Sequence, residues 1–308
     1  MNGKITVFGA GNVGGAVTRR LIERKLCKKV VVVDKIPGKA EGIALDILEA
    51  SPIDLLEPVC LSGEDLEQTR DSEVVIITAG ATRKEGMSRD DLLRINAGIV
   101  GDCVARAARY SPYAFYIIVS NPLNVMCHVA MRAGQIPMTR ISGMAGILDA
   151  SRFQYFIAKE LNVSVENVHA MVLGEHGEDM VPVPRYSTVA GIPITELLPQ
   201  ERIEALVSRV RDGGAEIIRL MHTSAFYAPA SAVTQMVAAV VMNKHKILTC
   251  AAYLTGEYGI RDTFVGVPVK LGANGVEEVM SIELTDAERE KLAASAAKIR
   301  QQVDSLAG

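Results

Sequence analysis

The chain has 308 residues, 49% of them apolar, and a formal net charge of −3 at neutral pH. That length exceeds one ordinary domain and supplies real cores, while 26 glycines and 5% aromatic residues suit an α/β enzyme better than a β-sandwich. So slight a negative charge gives no electrostatic drive toward nucleic acid or an anionic membrane surface, so any anion binding has to be local.

Met1-Asn2-Gly3-Lys4 runs straight into Ile5-Thr6-Val7-Phe8, a start with no room for the apolar core of a signal peptide. Continuous β-branched runs follow at residues 5–8, 30–33, 59–61, 74–77 and 114–119, and Ile141 opens a sixth. Runs of this kind suit strands buried on both faces of a parallel sheet. Val13, Ala16, Val17 and Leu21 recur at helical spacing between the first two, which makes a βαβ unit. From about Asp149 the texture changes to longer helices, expected over residues 150–161, 201–220 and 230–244, with short strands at 168–172 and 264–269. A last helix opens near Thr285 with a Thr285…Glu288 capping box and carries Leu292, Ala296 and Ile299 on one face. The expected fold class is α/β: an N-terminal Rossmann domain, a doubly wound parallel sheet over residues 1–145, joined tightly to a C-terminal α+β substrate domain over residues 146–308.

The longest uninterrupted apolar run, Met236 to Met242, is far short of the roughly 20 residues of a membrane span. Cys27, Cys60, Cys103, Cys127 and Cys250 are scattered singly, with no C-x-x-C pair and no histidine at metal-ligand spacing. A cytoplasmic protein in a reducing compartment, without a bound metal, is expected.

Gly9-Ala10-Gly11-Asn12-Val13-Gly14 follows the first strand and opens the first helix. In that context the first glycine makes the turn, the second lets backbone N–H groups approach a pyrophosphate, and the third lets helix and strand pack closely. Asp34 ends the second strand, twenty residues beyond Gly14, where a carboxylate would accept from ribose hydroxyls and repel a 2′-phosphate. NAD is thus favoured over NADP, although Lys35 sits next to Asp34 and an exposed strand-end aspartate is the plainer alternative. Two further strand ends reach the same sheet edge, Thr78-Ala79-Gly80 and Val119-Ser120-Asn121-Pro122. Small residues at the first would let the nicotinamide half lie against backbone, and Asn121 offers an amide near the reacting centre.

His176 lies in Leu173-Gly174-Glu175-His176-Gly177, where flanking glycines could carry an imidazole into a cleft. Histidine is the natural group to hold a proton near neutral pH, and the acidic residues around it lack the helical spacing of a zinc site. Asp149 and Arg152, at i and i+3, share a face of a helix's first turn; a helix cap with a surface partner is the alternative there. Arg83 and Arg89 bracket Gly86 after the fourth strand. Arginine grips a planar carboxylate with two parallel hydrogen bonds, so a small acid is the candidate ligand.

Together these residues resemble the lactate/malate dehydrogenase family, and within it the malate-oxidising branch. The match runs essentially end to end: residues 9–14, 44–52, 79–96, 119–122, 143–153, 173–182 and 224–229 carry it in order. The resemblance implies NAD as cofactor and the reaction oxaloacetate + NADH + H⁺ ⇌ malate + NAD⁺. It implies His176 as proton donor and acceptor, oriented by Asp149, with Arg152 on the C1 carboxylate and Arg89 polarising the carbonyl. Asn121 would bond the substrate oxygen, Ser224 would line the substrate site, and Asn96 would help hold the cofactor. Arg83 stands at the specificity position, where malate enzymes pair an arginine with a second carboxylate and lactate enzymes typically carry glutamine. A homotetramer or homodimer is implied, acting on a small dicarboxylate. The chain departs from the malate pattern at Thr82, Glu85, Glu175, Glu178-Asp179 and His222, and Glu175 is the lactate-type choice. Two rivals remain: a lactate or other 2-hydroxyacid dehydrogenase, against which Arg83 argues, and a non-catalytic NAD sensor, against which His176, Asp149 and Arg152 argue.

Overall fold

Strands β1 (Lys4–Phe8), β2 (Lys29–Val33), β3 (Val59–Ser62), β4 (Val74–Ile77), β5 (Phe115–Ile118) and β6 (Ile141–Gly143) run parallel, in the spatial order β3-β2-β1-β4-β5-β6. The computed structural model describes residues 3–57, 59–63, 65–82 and 87–306. Helices α1 (Asn12–Glu23), α2 (Lys39–Asp54), α3 (Arg89–Tyr110) and α4 (Leu123–Gly134) connect these strands. Strand order reverses between β1 and β4, and ligands of doubly wound sheets lie at the carboxyl ends of strands at such a point. Burial explains the sequence pattern: Val74, Val75, Ile76 and Ile77 are all fully buried, as strands covered on both faces require. α1 buries Gly14, Val17, Thr18, Leu21 and Ile22, a single helical stripe against the sheet.

The second half contributes α5 (Ile147–Leu161), β7 (Val168–His169), β8 (Val172–Gly174), β9 (Met180–Pro182), β10 (Thr188–Val189), β11 (Ile192–Pro193), α6 (Ile194–Leu197), α7 (Gln200–Met221), α8 (Tyr227–Val241), β12 (Lys246–Thr255), β13 (Arg261–Gly272), β14 (Gly275–Val279) and α9 (Asp286–Ser305). β12 and β13 form a long antiparallel pair that continues the first sheet, with Ala251 of β12 paired to Gly143 of β6, and the whole reaches eleven strands. α4 is pinned to β13 by buried groups: Asn124 Nδ2 donates to the Phe264 carbonyl (3.0 Å), and His128 Nε2 accepts from the Phe264 N–H (3.2 Å). Burial pushes the His128 imidazole down to about 4, so it stays a neutral acceptor.

Several expected boundaries move. Residues 168–172 are two strands in different sheets, because β7 pairs β10 while β8 pairs β9 and β13. The strand expected at 264–269 extends to Arg261 and Gly272, and β12 comes in addition. α5 begins at Ile147 rather than residue 150, with Gly146 at its N-cap. α8 begins at Tyr227, which leaves Pro229 in the first turn, where its missing N–H costs no intrahelical bond. α9 starts where the capping box places it, with Thr285 accepting from the Glu288 N–H.

Candidate active site

The edge at the ends of β1, β2 and β4 is shaped by backbone. Gly9 follows β1 at φ +105°, a conformation that side chains disfavour. A Cβ on Gly14 would lie 1.7 Å from the Gly9 carbonyl oxygen, so α1 can pack on the turn only without one. Gly11 is the opposite case: a Cβ there would meet nothing within 4 Å. α1 has no side-chain cap, so its first N–H groups, from Asn12, Val13 and Gly14, are available to an anion beside that open space. Asp34 ties the ends of β1 and β2 together, accepting from the Ala10 N–H (2.7 Å) and the Ile36 N–H (3.0 Å), with Lys39 Nζ at 3.7 Å. A carboxylate with two acceptances made keeps lone pairs for ribose hydroxyls. A cavity of about 820 Å³, lined by Gly9, Gly11, Asp34, Ile36, Thr78 and Gly80 among others, opens at this edge and is ample for a nucleoside.

Beside it, Thr78 Oγ1 donates to the Phe8 and Gly9 carbonyls (3.0 Å each), and Ser120 Oγ donates to the Ala79 carbonyl (2.6 Å). Asn96, 2% exposed, accepts from the Ala81 N–H (2.7 Å) and donates to the Asn121 carbonyl (2.7 Å). Its amide thus locks the loops leaving β4 and β5 to each other. Val119, the first residue after β5, is buried.

His176 sits in the short hairpin between β8 and β9, closed by the pair Gly174 and Met180. Its Nδ1 is 2.8 Å from Asp149 Oδ2, and the other oxygen, Oδ1, is 3.4 Å from Arg152 Nη1. Asp149 is the third residue of α5, inside the first turn and not its cap, and is 1% exposed. A buried carboxylate is tolerable because both oxygens face a partner. Asp149 raises the His176 pKa above the ordinary 6.5, against the opposing effect of burial. Arg152 lies along α7, and a Cβ on Gly213 would approach its Cδ to 3.3 Å. The pair Gly213-Gly214 went unremarked as a site feature in the sequence. Two glycines inside a helix cost about 1 kcal/mol each, and that penalty is the signal of a packing reason.

Arg89 opens α3 and is 71% exposed, with Glu178 of the hairpin 3.6 Å away. Such an exposed pair is weak and exchangeable. Arg83 lies outside the described residues, and Ser224 is exposed in the link between α7 and α8. The structure therefore brings His176, Asp149 and Arg152 together, with Arg89 reaching the same hairpin from the first half.

Two family models match the chain: the lactate/malate dehydrogenase NAD-binding domain over residues 3–143, and the lactate/malate dehydrogenase alpha/beta C-terminal domain over residues 147–307. The first spans the glycine turn and Asp34, and NAD is the cofactor. The malate dehydrogenase of Chloroherpeton thalassium is 50% identical over 304 residues, 98% of each chain. The solved malate dehydrogenase of Salinibacter ruber is 46% identical, with a TM-score of 0.94 over 98% of this chain and 97% of that one. The minor L-lactate dehydrogenase of Enterococcus mundtii, 30% identical, superposes as well, with a TM-score of 0.95 over 99% and 98% of the two chains. One scaffold therefore carries both chemistries, and choice between them rests on side chains. By geometry, by both family models and by full-length similarity, the chain belongs to the lactate/malate dehydrogenase family.

Proposed function

We propose that this protein interconverts (S)-malate and oxaloacetate by hydride transfer with NAD, using His176 as general acid and base. The observation that carries the reading is the shared Asp149 carboxylate, 2.8 Å from His176 and 3.4 Å from Arg152. With Nδ1–H donating to Asp149, the Nε2 atom is left to face substrate. In malate oxidation Nε2 takes the hydroxyl proton, and Asp149 stabilises the imidazolium that results. NAD, held at the Gly9–Gly14 turn and by Asp34, would supply the hydride acceptor in that direction and, reduced, the hydride donor in the other. In oxaloacetate reduction protonated His176 and Arg89 stabilise the charge developing on the carbonyl oxygen, and Nε2 returns the proton.

Arg152 grips the C1 carboxylate in a bidentate pair, Asn121 bonds the substrate oxygen and Ser224 lines the substrate site. Arg83 pairs with the second carboxylate. Residues 1–145 form the NAD-binding domain, which lends Arg83, Arg89 and Asn121 to the substrate, and residues 146–308 form the catalytic and substrate domain. Apolar side chains in solvent at the C-terminal end of α2 and on α7, with Ile53 at 85%, Leu55, just past α2, at 88% and Leu220 at 74% exposure, support a homodimer or homotetramer, which light scattering distinguishes. Free thiols at all five cysteines support a cytoplasmic setting; among the described residues no helix is long and apolar enough to cross a membrane.

Loss of NADH absorbance is followed in parallel with oxaloacetate, pyruvate and 2-oxoglutarate. Oxidation chiefly with oxaloacetate is expected. Oxidation chiefly with pyruvate would move the assignment to a monocarboxylate enzyme, and none with any acid would remove the catalytic reading.

A further inference from the structure

Glu175, next to His176 in the hairpin, has a buried side-chain oxygen, Oε2, with no hydrogen-bond partner among the described residues. Its backbone is fixed from the far side: the Glu175 N–H donates to Ser295 Oγ of α9 (2.9 Å). The chain then folds back, so that a Cβ on Gly174 would lie 2.8 Å from the Asp179 carbonyl oxygen. Asp179 is ion-paired with Lys298, also of α9. The charged groups acting on Glu175 are therefore Asp179 and His176 of its own hairpin, Lys298 of α9 and Arg89 of α3. His176 in turn is acted on by Asp149, Arg152 and Glu175. The carboxyl of the residue preceding an acid–base histidine thus has a buried oxygen that, among the described residues, accepts nothing that holds the hairpin.

We propose that Glu175 is a positioning residue for the proton on His176: its charge, set by the surroundings that α9 and Asp179 provide, determines how tightly the imidazole holds that proton. Burial and then the neighbouring Asp179 carboxylate push Glu175 up to about 7, while Lys298, His176 and Arg89 oppose the rise. Glu175 is thus neutral on the acid side and becomes an anion as pH rises through that region. Once charged it favours imidazolium, so His176 keeps its proton further into the alkaline range than Asp149 alone would allow. The two groups titrate as a coupled pair, and the His176 curve is stretched relative to a single-proton one. The consequence for catalysis rests on the function proposed above; the coupling itself does not.

Two readouts test it. In the NAD-bound protein, the His176 ring is titrated by NMR, its signal assigned by its disappearance in His176→Asn. Wild type is expected to give the stretched curve, and Glu175→Gln and Glu175→Ala a single-proton curve with a lower midpoint. In the assay, kcat/KM for oxaloacetate on the acid plateau is expected to stay within about twofold of wild type in both variants, and on the alkaline limb to fall about threefold below it. Two variants of different shape with one shared loss of charge separate electrostatics from packing. Superimposable His176 titrations in wild type and both variants would overturn the proposal, whether or not the protein turns over oxaloacetate. Absence of turnover in wild type would count against the proposed function alone.

Discussion

At the glycine turn after β1 the groups that face a ligand are backbone N–H groups and space kept empty by glycine, with the Asp34 carboxylate beside them, whereas around the β8–β9 hairpin they are charged side chains leaning on one another. The glycine turn at the first edge leaves no room for added volume, since a Cβ on Gly14 would lie 1.7 Å from the Gly9 carbonyl oxygen. Around the hairpin the balance shifts to charge: Asp149 acts on His176, and Asp179, Lys298 and His176 act on Glu175, so a change of charge at one is felt by its neighbours. The contrast follows from the two tasks. Binding a pyrophosphate requires fixed dipoles at close range, while moving a proton requires a group whose ionisation the surroundings can tune.

Substitutions can break this contrast or sharpen it. The largest effect is expected from His176→Asn, which keeps a donor for Asp149 but removes the titrating group. kcat/KM should fall about 10³-fold or more, about 4 kcal/mol, with thermal stability near that of wild type. In wild type, reduction should weaken as pH rises through the His176 pKa, which Asp149 holds above 6.5, and oxidation should strengthen over the same range. A flat profile in both directions would remove His176 as the acid–base group. Next, Gly14→Ala forces a methyl against the Gly9 carbonyl and should cost about 3 kcal/mol of stability, read as a lower Tm. An unchanged Tm would mean that the turn can yield, and that the edge is not defined by volume.

Arg83→Gln should lower kcat/KM for oxaloacetate about 100-fold, about 2.7 kcal/mol, and narrow the gap to pyruvate. If oxaloacetate turnover barely moves, the second carboxylate is recognised elsewhere. The smallest effect belongs to Gly11→Ala, whose methyl meets no protein atom. Tm should hold while the NADH Kd rises about fivefold, about 1 kcal/mol, by calorimetric titration. Loss of stability without loss of affinity would reverse the roles assigned to Gly11 and Gly14.

The two edges also differ in how well the sequence announces them. The glycine turn, Asp34 and the buried strands are legible because local spacing and local burial coincide: Val74 to Ile77 read as a covered strand and are one. The His176–Asp149–Arg152 grouping was legible as a set of residue types, but its geometry depends on α5 starting at Ile147, three residues before the helical pattern suggests. β12 was missed because its Cys250-Ala251-Ala252 centre has no β-branched signature, and its burial comes from β6 and β13, distant in sequence. The split of residues 168–172 between two sheets is likewise a choice of partners that alternation along one segment does not encode. Glu175 stood out only as a departure from a pattern; its isolation against α9 is a property of packing.

The single rung between Gly143 and Ala251 that joins the two halves of the sheet has a chemical signature of its own. A Cβ on Gly143 would lie 2.8 Å from Cys127 Sγ, and Cys250 precedes Ala251, so two thiols flank the joint, both fully buried and both pushed to higher pKa by that burial. A thiol reagent reaches them when the packing around this joint opens, while the half-buried Cys27 lies away from the joint and serves as an internal reference. The rate at which Cys127 and Cys250 become labelled in native buffer is therefore a clock, already built into the chain, for how often the core around this rung opens.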